Sequence, residues 1–164
     1  MASGDSLVIF TPKDYEPPAA TFATLDLRNQ IPVLDYDAAT DESAVFGGFL
    51  PRHYAGGGIT VTLVWMASTA TSAVTRWAAA FERHDAGGTD LDADSFAAVQ
   101  TVSGTAVTPT GATIYTSVAF TSGAQMDSLA AGESFRLKVT REASNAGDTM
   151  AGDAELLRVE LKET

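Results

Sequence analysis

The residues able to do chemistry fall into a few groups. The acidic run Asp90-Leu91-Asp92-Ala93-Asp94-Ser95 has alternating carboxylates, the pattern with which a calcium loop supplies its first, third and fifth ligands. The sixth position, where the sharp turn needs glycine, holds Ser95, and the twelfth, where a bidentate glutamate belongs, holds Thr101. The run reads as a polar loop in which Asp94 or Ser95 caps a short turn. Asp90, Asp92 and Asp94 stay as a calcium candidate in a chain otherwise expected to bind no metal or cofactor.

His53 and His84 are the only histidines. A catalytic triad needs a histidine held between a nucleophile and a carboxylate. His53 lies in the loop Pro51 to Gly58, His84 ends a strand before Asp85, and neither is near a Gly-x-Ser-x-Gly elbow. Both read as surface histidines. Gly56-Gly57-Gly58 lacks the neighbouring lysine and following helix of a phosphate cradle, and a strand follows it, so it reads as a turn. The 21 acidic residues offer many carboxylate pairs for glycoside hydrolysis, but one small domain leaves little room for a cleft. Trp65 and Trp77 could stack on a sugar, yet both fall on the apolar side of an alternating strand and are expected in the core. With no nucleophile–base pair or metal set, the chain is expected not to be an enzyme.

The elements that would position these residues are strands. Ile59, Val61, Leu63 and Trp65 alternate with Thr60 and Thr62, which buries one face of a strand. Trp77, Ala79 and Phe81 repeat the rhythm, as do Ile114 to Phe120, Phe135 to Val139, and Leu157, Val159 and Leu161 against Arg158 and Glu160. Further strands are expected at 6–11, 21–28, 31–36 and 43–50, with a short one near 98–103. Turn signals separate them at Pro17-Pro18, Asn29, Gly56 to Gly58, Gly87-Gly88, Pro109 to Gly111, Gly123, Gly132 and Gly147. Short helical turns are expected only near 94–100 and 124–130, the second plugging one end with Met126 and Leu129. This defines an all-β, two-sheet antiparallel sandwich or jelly roll of about eight strands. Alanine favours helix over Trp77 to Arg83, but the Trp/Ala/Phe alternation outweighs it.

A chain of 164 residues makes one domain, and 45% apolar with 19% charged residues is a globular composition. Residues 1–20 carry Pro12, Pro17 and Pro18 and are expected to form an edge strand and an extended arm before a domain at 21–164. The absence of cysteine removes disulfides, thiolate metal sites and cysteine nucleophiles. A net charge of −11, with the basic residues scattered singly, argues against nucleic acid. Met1 to Asp5 has no basic region before an apolar run, so no signal peptide is expected, and no apolar stretch reaches membrane-spanning length. Synthesis and folding in a cytoplasm are expected.

The runs Thr21 to Asn29, Pro32 to Asp37 and Phe49 to Tyr54, the strand ending in Trp65, the strand Trp77 to Arg83 and the segment Gly132 to Leu137 resemble the small jelly-roll virion proteins of tailed bacteriophages. The likeness covers most of the chain after residue 20 and consists of packing and turn signatures. It implies a decoration or cement protein on the outer capsid surface, a homotrimer that clamps the major capsid protein, made in the host cytoplasm. The expected contacts are Tyr15, Pro17 and Pro18 of the arm and Arg52, His53 and Tyr54 of the end loop. A tail, baseplate or head-fibre component is the nearest relative of this reading. A carbohydrate-binding jelly roll is the reading from another class; it requires exposed aromatics in line, with Tyr36, Tyr54 and Tyr115 as candidates.

Overall fold

The computed structural model describes residues 4–164, so Met1 to Ser3 of the expected arm lie outside the described residues. Among the described residues eleven strands are present: β1 (Ser6–Phe10), β2 (Tyr15–Glu16), β3 (Thr24–Arg28), β4 (Ile31–Tyr36), β5 (Glu42–Phe49), β6 (Ile59–Ala67), β7 (Val74–His84), β8 (Gln100–Thr105), β9 (Ile114–Phe120), β10 (Ser134–Arg141) and β11 (Ala154–Glu163). They form two antiparallel sheets, one in the order β3-β4-β11-β6-β9 with β1 also on β11, the other in the order β2-β5-β10-β7-β8. The pairs are nested. β7 meets β8, β6 meets β9, β5 meets β10 and β4 meets β11, with successive pairs in alternate sheets. One long hairpin rolled over on itself gives this order, which is that of a jelly roll. The nested pairs use β4 to β11, β1 and β3 fall within the strands expected at 6–11 and 21–28, and β2 is an addition, so the count is eleven and not about eight.

Alternation sorts the core as the sequence implies. Ile59, Val61, Leu63 and Trp65 of β6 face Trp77, Ala79 and Phe81 of β7 across the sandwich, and all are buried. Both tryptophans are therefore core residues. Their rings meet at 5.8 Å and 63°, and Tyr36 meets Trp77 edge-on at 5.1 Å. The Trp65 indole N–H donates to Thr116 Oγ1 at 2.9 Å. Gly104 of β8 makes room for that ring, because a Cβ there would lie 2.9 Å from Trp65 Cζ2.

Three expectations need correction. On β11 the buried residue is Leu156 and not Leu157, because the ladder to β6 shifts register between Leu156 and Arg158. A bulge inserts one residue, and side-chain parity reverses across it. The segment 94–100 is not helical; Ala97 N–H donates to Phe81 C=O at 2.7 Å, which holds the chain extended along β7. The N-terminal segment is stitched into its own domain. β1 pairs with β11, Phe10 stacks on Phe46 at 5.3 Å in the core, Pro12 is buried in a 3-10 turn (Pro12–Asp14), and β2 pairs with β5. The second helical expectation is met by a 3-10 turn over Ala124–Met126, whose Met126 and Leu129 close one end of the core.

The inner face of β10 reads Phe135, Leu137, Val139 and then Arg141, which is 0% exposed. Its guanidinium is fully answered. Nε and Nη2 donate to the two oxygens of Asp148 at 3.0 Å each, Nη1 to the carbonyls of Gly152 and Tyr36, and Nη2 also to that of Met150. A buried charge is tolerated only with such pairing. This one fastens β4, β10 and the loop before β11 together.

Candidate interaction surface

The surface that stands out begins at the β3–β4 hairpin. Asn29 and Gln30 form its two-residue turn with φ of +49° and +67°. Two positive φ values define a type I′ turn, whose twist matches that of the strands it joins. Direct partners in an antiparallel ladder share a face. The register Leu25–Leu34–Leu156–Trp65 therefore places Leu25 in a row whose other members are buried. Leu27 lies two residues along on the same face. Leu25 is nonetheless 53% exposed and Leu27 65%, Phe22 just before β3 is uncovered too, and Ile31 is uncovered on the opposite face of the hairpin. A core-facing row thus continues past the core, on the outermost strand of its sheet.

Charge occupies the opposite face of the same hairpin. Arg28 Nη1 pairs with Glu155 and donates to Ala67 C=O at 2.9 Å, which straps the hairpin to β6 and β11. Asp26 Oδ1 accepts the N–H of Leu27 at 2.7 Å. Asp35 sits beside Asp153, Glu155, Asp26 and Glu42, and its Oδ1 is buried without a hydrogen-bond partner. Burial first, and these neighbouring carboxylates second, push its pKa up to about 6.

The raised value fixes a pH dependence. The unfolded chain ionises Asp35 near 3.8 and the folded chain near 6, so folded-state stability falls as pH rises through that window and stays lowered above it. Asp35→Asn should therefore be as stable as the parent at pH 4 and more stable at pH 7.5. The gain, reduced for solvent screening of a partly exposed group, is about 1 kcal/mol. Urea denaturation at the two pH values measures it.

The outer face of the β2-β5-β10-β7-β8 sheet holds a second polar group. Glu82, almost fully buried, accepts from Arg136 Nε at 2.8 Å and from Arg136 Nη2. His84 Nε2 stands 3.9 Å from Glu82 Oε1, beyond hydrogen-bond reach, and is buried without a partner. Phe96 lies against Arg136 and Lys138, with cation-to-ring distances of 5.3 and 4.6 Å. His84 is thus half-buried and not the surface residue expected, whereas His53 is exposed.

The other expected positions divide. Pro17, Arg52 and His53 are exposed; Pro18 and Tyr15 are half-buried, and the Tyr15 hydroxyl donates to Ala23 C=O at 2.7 Å. Tyr54 is buried, its hydroxyl donating to Gly57 C=O inside its own loop, so it is not available as a contact. Tyr36 is buried too, with its hydroxyl on Val139 C=O at 3.3 Å. Of the three tyrosines proposed as a sugar platform only Tyr115, 71% exposed, faces solvent, so these three do not form an exposed line. Asp90 caps the turn it begins, accepting the N–H of Asp92 at 3.1 Å, whereas the following turn that Asp94 or Ser95 was expected to cap does not form. Among the described residues, no three His, Cys, Asp or Glu side chains converge to hold a metal ion, Asp90, Asp92 and Asp94 included. No helix among them is long and apolar enough to cross a membrane.

Compared with known proteins, the chain matches no protein-family model and no curated protein.

Proposed function

We propose that this chain is a non-enzymatic structural protein of a bacteriophage particle, most simply a decoration or cement subunit on the outside of the capsid. One observation carries the reading: Leu25 and Leu27 lie uncovered on the core-facing side of β3, with Phe22 exposed just before them. Large apolar side chains left exposed on an outermost strand are a surface for protein assembly. The jelly-roll order and the net charge of −11 agree with a subunit that packs against protein and avoids packaged DNA. Exposed Arg52 and His53 at one end of the sandwich are the contacts proposed for the major capsid protein.

The test is incorporation. Mass spectrometry of gradient-purified particles should find the chain as a component. A Leu25→Lys/Leu27→Asp variant should fold with an unchanged far-ultraviolet spectrum yet incorporate at least ~10-fold less, as loss of a central apolar contact implies. Particles that lack the wild-type chain would rule out the virion role.

A further inference from the structure

We propose that the occupant of the β3 edge is a second copy of this chain, joined by antiparallel pairing of β3 with β3 about a two-fold axis at Leu27. The inference rests on the assembly reading of the same hairpin and goes further by naming the partner and the register.

The hairpin geometry decides which backbone groups are free. In a two-residue hairpin the residues flanking the turn, Arg28 and Ile31, exchange hydrogen bonds, and the pattern alternates away from them. Leu27 and Leu25 therefore turn their N–H and C=O groups outward. Pro32, opposite Leu27, has no N–H to lose by this arrangement. In the single chain the outward N–H of Leu27 is occupied by the carboxylate of its own neighbour, Asp26. The edge is thus capped only by a side chain that can turn away.

The charges select the register. Pairing centred on Asp26 would set two carboxylates opposite each other, which is repulsive. Pairing centred on Leu25 would set Asp26 opposite Thr24 and leave Arg28 without an acid. Pairing centred on Leu27 sets Asp26 of each copy opposite Arg28 of the other. It also brings the two Leu27 side chains together and exchanges two backbone hydrogen bonds at the axis. In the single chain Arg28 is turned back over the sheet, with Nη1 on Glu155 and Ala67 C=O and Nη2 beside Gly111, so pairing with Asp26 of the second copy exchanges the Glu155 contact for a new one. The result joins two copies of the β1-bearing sheet edge to edge, and a closed two-fold contact of this kind yields a dimer.

Light scattering on the eluting protein at roughly 100 μM, above the micromolar range of the weakest interfaces of standard size, should give twice the chain mass of 17.1 kDa. Asp26→Arg should weaken the dimer ~10-fold by opposing two arginines at each end of the pairing. Asp26→Arg with Arg28→Asp should dimerise more tightly than either Asp26→Arg or Arg28→Asp alone, because the swapped charges meet again only in this register and both Arg28 variants equally lack the Glu155 contact. Thermal melts of each variant confirm folding, and Leu27→Asp supplies a second disruption independent of Arg28. A monomer at that concentration, a trimer, or a folded double swap that dimerises no better than either single change overturns the proposal. Loss of particle incorporation in hairpin variants of a monomeric chain would leave the assembly reading standing and sink this one.

Discussion

Arg141→Met should lower the free energy of unfolding by about 3–5 kcal/mol, the cost of breaking a buried ion pair by removing one partner. The methionine fills most of the space, so the loss is electrostatic. Asp148 is left with only the backbone N–H groups of Arg76 and Met150, at 3.0 and 3.2 Å, to hold its charge in the interior. The carbonyls of Tyr36, Met150 and Gly152 lose their donor at the same time. Two controls separate the contributions. Arg141→Lys keeps the charge but has one ammonium in place of a planar fork, and should recover only part of the loss. Arg141→Met with Asp148→Asn removes both charges and should be more stable than the single change. Urea titrations with a common slope would measure all three. A single variant within about 1 kcal/mol of the parent would mean that water replaces the guanidinium, and the strap described here would be wrong.

Phe81→Ala should cost a similar amount, about 3–5 kcal/mol. The ring is fully buried, lies edge-on to Phe120 at 4.9 Å and 79°, and meets Phe135 at 5.8 Å. Removing it opens a cavity between the two sheets that aromatic neighbours on both sides cannot fill without leaving their rotamers. Tyr115→Ala and Phe49→Ala are the matched comparison, since both rings are exposed and should change stability by no more than about 0.5 kcal/mol. If Phe81→Ala proved as mild as those two, the sheets would not be packed through it.

The strand pattern was legible because burial on one face writes itself as period two, and each alternating run from Ile59 to Leu161 became a strand. What alternation cannot report is where the parity breaks or where cover stops. The bulge at Leu157 displaced the apolar phase of β11 by one residue, and a Leu-Leu pair gives no hint of which member turns inward. Arg141 occupies the apolar phase of β10, so its charge disguised a core position. Leu25 and Leu27 have the opposite problem. Their spacing is that of buried residues, and only the position of β3 at the outer margin of its sheet reveals that nothing lies over them. Tyr36 and Tyr54 misled for a related reason, because a phenol carries a hydroxyl that suits either water or a buried carbonyl. The strand at 6–11 was legible, but the prolines after it read as an extended arm because β2 is only two residues long and finds its partner in β5.

The nesting of pairs also governs the order in which the molecule can be assembled in time. The innermost pair, β7 with β8, joins neighbours in sequence, whereas β1 and β4 wait for β11, the strand that leaves the ribosome after all the others. Contacts of such long sequence separation must meet the entropy of closing nearly the whole chain before they contribute, which slows folding. Until translation delivers β11, the apolar flanks of β4 and β6 remain bare, and a nascent polypeptide in this state is exposed to aggregation or to capture by a chaperone.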